Sequence, residues 1–244
     1  MDEEEIKELC IDLMRADDEN EIKDLLELKG LWNDESSWVD YGDVPNNFNT
    51  IGNQQEDPVA ALVEKITNSV DAIIIKEAKI REINPEDHNA PKSVHEALEL
   101  FFGIQEGKLG NMIKSQRDKL SDQILLVASG SKKNPCISVI DKGEGQEPDM
   151  FEHTFVSLIG GNKDVTQFVQ GKFNMGSTGV LNFSGNYNMQ LIISKKYPQL
   201  ASSNPDAGKW GFTIVRRFKP VYPMRISSYR YLIVDGKIPR FSAS

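Results

Sequence analysis

Cysteine and histidine are scarce, with two cysteines and three histidines in 244 residues. Cys10 and Cys136 lie far apart and form no CxxC pair, and His88, His95 and His153 add no metal-ligand spacing, so a zinc site is set aside. Two free thiols in a reducing cytosol are the expectation, and the chain is read as cytoplasmic. No apolar run approaches the length of a membrane span, so no membrane contact is expected. The chain opens Met1-Asp2-Glu3-Glu4-Glu5, acidic where a secretory signal would be basic. Basic residues are outnumbered: 28 Lys and Arg stand against 37 Asp and Glu, a net charge of −9. That balance excludes a basic nucleic-acid footprint over the whole chain and leaves nucleic acid accessible only through other domains or partners. The short basic pairs Lys132-Lys133, Lys195-Lys196 and Arg216-Arg217 read as solvated strand ends or turns. No internal repeat or low-complexity tract interrupts the pattern.

What is present is an ordinary globular composition, 39% hydrophobic and 27% charged, over a length that suits one large α/β domain with appendages. Apolar residues recur at helical intervals across 3–28, with a break near 16–20 and Gly30 as a stop. Residues 31–56 are loop-like, yet hold Trp32, Trp38, Tyr41 and Phe48, which should be packed down. Asp57-Pro58 predicts a helix start, Asp as N-cap and Pro in the first turn, with the helix running to about Ile83. Residues 84–120 are polar with helical patches. The runs 123–128 and 136–140 predict a β-hairpin whose second strand is buried, and 190–194, 212–216 and 231–234 predict further strands, with Asp235-Gly236 as a turn.

Three polar constellations stand out. On the helix from Pro58, Asn68 lies about 40° from Glu64 and Asp71 about 20° to the other side, so the three share one narrow face. Asn68, Ser69 and Asp71 are poor helix formers, and their concentration mid-helix suggests a face in use rather than a solvated one. Second, Asp141-Lys142-Gly143-Glu144-Gly145 follows a predicted strand. The Asp can accept a hydrogen bond from a ligand amino group, and the glycines allow backbone to approach a flat ring. A dinucleotide fingerprint is excluded because position 148 is Pro where its third glycine would stand. Third, Gly171 to Gly179 precedes the apolar Val180-Leu181-Asn182-Phe183, as in a glycine loop that opens a helix and offers N–H groups to phosphate. Gly160-Gly161 upstream reads as the hinge of a lid over about 146–176. Each constellation alone is also compatible with an exposed polar face or an ordinary turn.

Taken in order, the three resemble the motifs of the gyrase, heat-shock chaperone, histidine kinase and MutL (GHKL) ATPase superfamily, nearest to its chaperone–MutL clamp branch. Glu64-xxx-Asn68-Ser69-x-Asp71-Ala72 is similar to the N-box, Asp141-x-Gly143-x-Gly145 to the adenine box, and Gly171-x-Phe173-x-x-Gly176 to the glycine box. The resemblance covers roughly 57–195 and implies an α/β (α+β) Bergerat-type two-layer sandwich, helices on one face of a mixed, mostly antiparallel sheet. It implies a division into an N-terminal helical arm and loop, 1–56, and an ATP-binding domain, 57–244, with an insertion at about 84–120. It implies ATP and Mg²⁺ as cofactors. Glu64 would be the general base. Asn68 would be the Mg²⁺ ligand and Asp141 the acceptor for the adenine amino group. Gly143 and Gly145 would flank the base. Gly160, Lys163, Gly171, Lys172, Phe173, Gly176, Ser177, Thr178 and Gly179 would surround the phosphates, and Asp71 would tune the site. The activity implied is ATP hydrolysis driving a conformational switch, with a homodimer formed on ATP binding or a larger assembly of DNA-processing, chaperone-like or antiviral kind. A histidine-kinase-like catalytic domain and a non-hydrolysing nucleotide sensor are the alternatives. Two departures stand against the family pattern: Asn174 replaces a frequent glycine, and the first two motifs are unusually far apart.

Overall fold

The computed structural model describes residues 1–158, 168–170, 178–220 and 226–243. The N-terminal helical pattern resolves into α1 (Glu3–Arg15) and α2 (Glu19–Leu28). Asp2 caps α1 in a reciprocal box with Glu5, and Asp18 caps α2 through the amides of Asn20 and Glu21. These caps satisfy N–H groups that a helix start leaves without partners. Gly30 stops α2 at a φ of 73°. A short strand β1 (Trp38–Asp40) and a one-turn helix α3 (Phe48–Gly52) follow.

The long helix α4 (Pro58–Ile80) starts as the sequence predicts, with Asp57 accepting from the Val59 amide. It ends three residues before the predicted Ile83, because Glu82 turns to a φ of 55° and the Ile83 amide returns to the Ala78 carbonyl. The helical patches within 84–120 become α5 (Val94–Phe102), capped by Ser93 and closed by left-handed Gly103, and α6 (Lys114–Leu120). Then come β2 (Ile124–Ser131), β3 (Asn134–Asp141), β4 (Gln190–Ser194), β5 (Trp210–Phe218), β6 (Ser228–Leu232) and β7 (Arg240–Phe241).

The fold is α+β. The main sheet runs β1-β6-β5-β4, with β7 also on β5, and every described strand pair is antiparallel. Alternation along β5 divides the core. Phe212 and Ile214 face a cluster with Leu9, Cys10, Leu13 and Leu26 of α1 and α2, while Val215 faces the other way, onto Tyr41, Ile51, Phe151 and Tyr229. Residues 1–56 thus share both cores with the sheet, and α1 and α2 cover one of its faces. The aromatics of the loop are packed down: Trp32, Trp38 and Tyr41 are buried, and Phe48 stacks on Tyr229. Arg216 corrects one expectation. It is not a solvated strand end. It is buried, its guanidinium 3.5 Å from the Trp32 ring centroid, 4.2 Å from Trp38 and 3.9 Å from Phe218, donating to the Trp32 carbonyl. Burial among these rings brings its pKa down to about 10.

A third cluster belongs to α4: Ile74 and Ala78 pack with Ala97, Leu98 and Phe101 of α5 and with Phe168 and Val169. The segment 84–120 thus buttresses the back of α4 through α5. The predicted hairpin is β2–β3, and it stands apart from the main sheet. Its second strand is not buried as predicted, since Ile137 and Ile140 are 44% and 49% exposed. An apolar strand run signals burial only where another layer covers it; here α4 touches the hairpin near its base, and Gly130 near the tip approaches the Asp17 carbonyl. No helix among the described residues is long and apolar enough to cross a membrane.

Candidate functional site

The candidate site is built on α4, where two neighbouring stripes serve different partners. Ser69, Ala72 and Lys76, at i, i+3 and i+7, meet the loop after β3. The Ser69 hydroxyl donates to Asp141 Oδ2 at 3.0 Å, the Glu144 amide donates to the Ala72 carbonyl at 3.1 Å, and Lys76 Nζ donates to the Lys142 carbonyl at 2.5 Å. About a quarter turn away lie Glu64, Asn68 and Asp71. Asp71 is fully buried and its Oδ1 accepts the Gln170 amide at 2.9 Å, immediately before the glycine run that starts at 171. Asn68 sits between, angularly bracketed by the contact to Asp141 on one side and the contact to Gln170 on the other.

Glu64 and Asn68 are half-buried, and their side chains make no hydrogen bond or ion pair among the described residues. The adjacent Lys65 is also half-buried, its ammonium brought down to about 8 by burial, with the charge of Glu64 pulling it back up. Asp141 is exposed and fixed at both oxygens, Oδ1 accepting the Gly143 amide at 2.9 Å and Oδ2 the Ser69 hydroxyl. Each oxygen keeps a lone pair for a further donor.

The two glycines lie close against the chain itself. A Cβ on Gly143 would stand 2.5 Å from the Ala72 Cβ, and one on Gly145, at a φ of 59°, would overlap the Lys195 carbonyl oxygen. α4 and the exit of β4 are the elements against which these two glycines pack. Gly160, Lys163, Gly171, Lys172, Phe173, Gly176 and Ser177 lie outside the described residues, as do 159–167 and 171–176 of the lid segment. Thr178 and Gly179 are buried. The apolar stretch beyond them does not open an α-helix: Leu181–Phe183 is one 3-10 turn, ended by Ser184 and a left-handed Gly185, so the described residues provide no helix dipole at this point.

Sequence reasoning missed Glu144. Its carboxylate receives Lys79 Nζ at 2.5 Å and Lys196 Nζ at 2.8 Å, tying α4 and the exit of β4 to the Asp141 loop. Burial pushes this carboxyl up, but the hydrogen bonds and charges of Lys196 and Lys79 outweigh that and hold it below the ordinary carboxylate range. Such a group stabilises the fold above the unfolded-state value near 4.5, and the contribution disappears as pH falls through the lower folded value. Glu144→Gln is expected to cost about 2 kcal/mol at pH 7, with the gap from the native chain closing below about pH 4.5. Urea melts of both proteins across pH 3.5 to 7 measure this, and a gap independent of pH would contradict it. The missed signal was spacing, since Lys76 and Lys79 continue the α4 face that begins at Ser69.

Ser69 is thus tied to Asp141 and Asp71 to the Gln170 amide, with Asn68 between those two positions on α4 and Glu64 one turn earlier, while the phosphate-side residues from Gly160 to Ser177 remain outside the described structure. No protein-family model, no curated protein and no solved structure matches the chain.

Proposed function

We propose that the chain binds Mg-ATP on α4 and hydrolyses it with Glu64 as general base. One observation carries the reading: the turn of α4 that holds Asn68 lies between hydrogen bonds to Asp141 and to Gln170, so a carboxylate acceptor and the start of a glycine run flank an unengaged amide. That is the donor and acceptor set a nucleotide needs along its length. Asp141 accepts from the base amino group while Ser69 holds the carboxylate in place. Asn68, whose amide oxygen accepts no hydrogen bond among the described residues, fits a hard cation that keeps most of its water. When bound, Mg²⁺ neutralises charge on the phosphates. Glu64, one turn before Asn68, orients and deprotonates the water that attacks the terminal phosphorus as the bond to the bridging oxygen breaks and ADP leaves, and the N–H groups of the glycine run are assigned to the phosphate oxygens. In the switch form of this reading, ATP favours a homodimer and hydrolysis releases it.

The test is direct. Isothermal titration of the chain with ATP is expected to show binding that depends on Mg²⁺ and is lost in EDTA, accompanied by phosphate release in a malachite-green assay. Binding without release would identify a sensor, transfer of phosphate to a histidine would favour the kinase alternative, and absence of binding would end the nucleotide reading.

A further inference from the structure

Lys65 stands on the Ser69 stripe one turn toward the start of α4, at i−4 from Ser69 and i−7 from Ala72, both of which engage the Asp141 loop. It is also i−3 from Asn68, so its Cβ lies roughly 5–6 Å from that of Asn68 on the helix surface. Elsewhere on α4, lysines that lean on this loop are satisfied: Lys76 donates to the Lys142 carbonyl and Lys79 to Glu144. Lys65 is half-buried and has neither a hydrogen bond nor an ion pair among the described residues. A partly desolvated ammonium that feels the charge of Glu64 but forms no ion pair with it among the described residues is only partly compensated, and an arriving anion relieves the rest of that cost. The amide of Asn68 and the carboxylate of Glu64, one on each side in sequence, leave the lysine as the cation among them.

We propose that Lys65 is a phosphate-binding residue of the site, a cation supplied by this chain's own helix that pairs with the polyphosphate of the nucleotide. The proposal rests on the nucleotide reading above. It differs from a role in base recognition by one consequence: the benefit of Lys65 grows with the number of phosphates. The partner is a nucleoside polyphosphate, and the flexible four-carbon stem spans the distance from the Ser69 stripe to the neighbouring Asn68.

The experiment compares AMP, ADP and ATP binding with Mg²⁺ by isothermal titration for the full chain, Lys65→Met and Lys65→Arg, with circular dichroism melts as a folding control. Lys65→Met is expected to weaken ATP by tenfold or more and AMP by less than twofold, and Lys65→Arg to stay within about threefold of the native chain for all three. Retained charge in Lys65→Arg keeps the comparison meaningful even where the methionine variant folds poorly. Equal ATP affinity in native chain and Lys65→Met overturns the proposal while leaving the nucleotide reading intact. Equal losses for AMP and ATP overturn it too, because the lysine then does not read phosphate. Failure of the native chain to bind any of the three overturns both.

Discussion

Glu64→Gln is expected to abolish measurable phosphate release while ATP still binds. A positioned general base contributes about 10²–10⁴-fold to rate, and glutamine keeps the size and hydrogen-bonding reach of the side chain without its ability to take a proton. The structure makes this substitution a clean one. Glu64 is half-buried on α4 with no hydrogen bond or ion pair among the described residues, so removing its charge breaks no described bond and withdraws only a through-space attraction for Lys65. Stability is expected to change by less than about 0.5 kcal/mol. Single-turnover phosphate release and ATP titrations on the same preparation separate the two effects. A variant that releases phosphate at the native rate removes Glu64 from the mechanism, and a variant that no longer binds ATP reassigns it to binding.

Gly145→Ala is expected to have the largest effect on the fold of any change near the site. The residue sits at a φ of 59°, where a side chain costs about 1–2 kcal/mol, and an added Cβ meets the Lys195 carbonyl, a backbone atom that cannot swing aside. Displacing it also disturbs the Tyr197 amide bond to the Glu144 carbonyl and the Glu144–Lys196 ion pair. A total of about 3 kcal/mol follows, a fall in Tm of roughly 6–12 °C for a chain of this size, together with loss of nucleotide binding because the Asp141 loop is anchored through the same residues. Differential scanning calorimetry gives the first number and an ATP titration below the new Tm gives the second. A Tm within about 2 °C of native would show that the loop has another way to pass β4.

The two substitutions probe parts of the chain that differed in how far sequence revealed them. The start of α4 was legible because an N-cap aspartate followed by proline is local chemistry, and the polar face was legible because helical periodicity projects Glu64, Asn68 and Asp71 to one side whatever surrounds them. The turn at Asp235-Gly236 was legible for the same reason; both residues take positive φ and Val234 bridges to Lys237. Ile137 and Ile140 misled because an apolar run says what a strand would bury, not whether a second layer arrives to cover it. The surroundings of Gly143 and Gly145 were hidden for a related reason. Glycine marks a close approach, but only the packing of α4 and β4 shows that the approaching atoms belong to the chain itself. Arg216 was misread because a doublet of basic residues looks solvated until three aromatic rings, two of them far away in sequence, close around one member.

The Arg216 sandwich has an optical consequence. All three tryptophans, Trp32, Trp38 and Trp210, lie in the cluster that joins α1 and α2 to the main sheet, and residues 39–209 contain none. Intrinsic tryptophan emission therefore reports on the docking of the N-terminal helices and carries no probe within α4, the hairpin or the α5 buttress. The guanidinium stacked on Trp32 and Trp38 makes that signal sensitive to small separations of the arm from the sheet. Circular dichroism at 222 nm sums all the helices, α1 and α2 together with the long α4, and so adds the part that the tryptophans do not report. Two spectroscopic probes thus divide the molecule along its own packing, and any mismatch between their transitions would mark the order in which the two parts come apart.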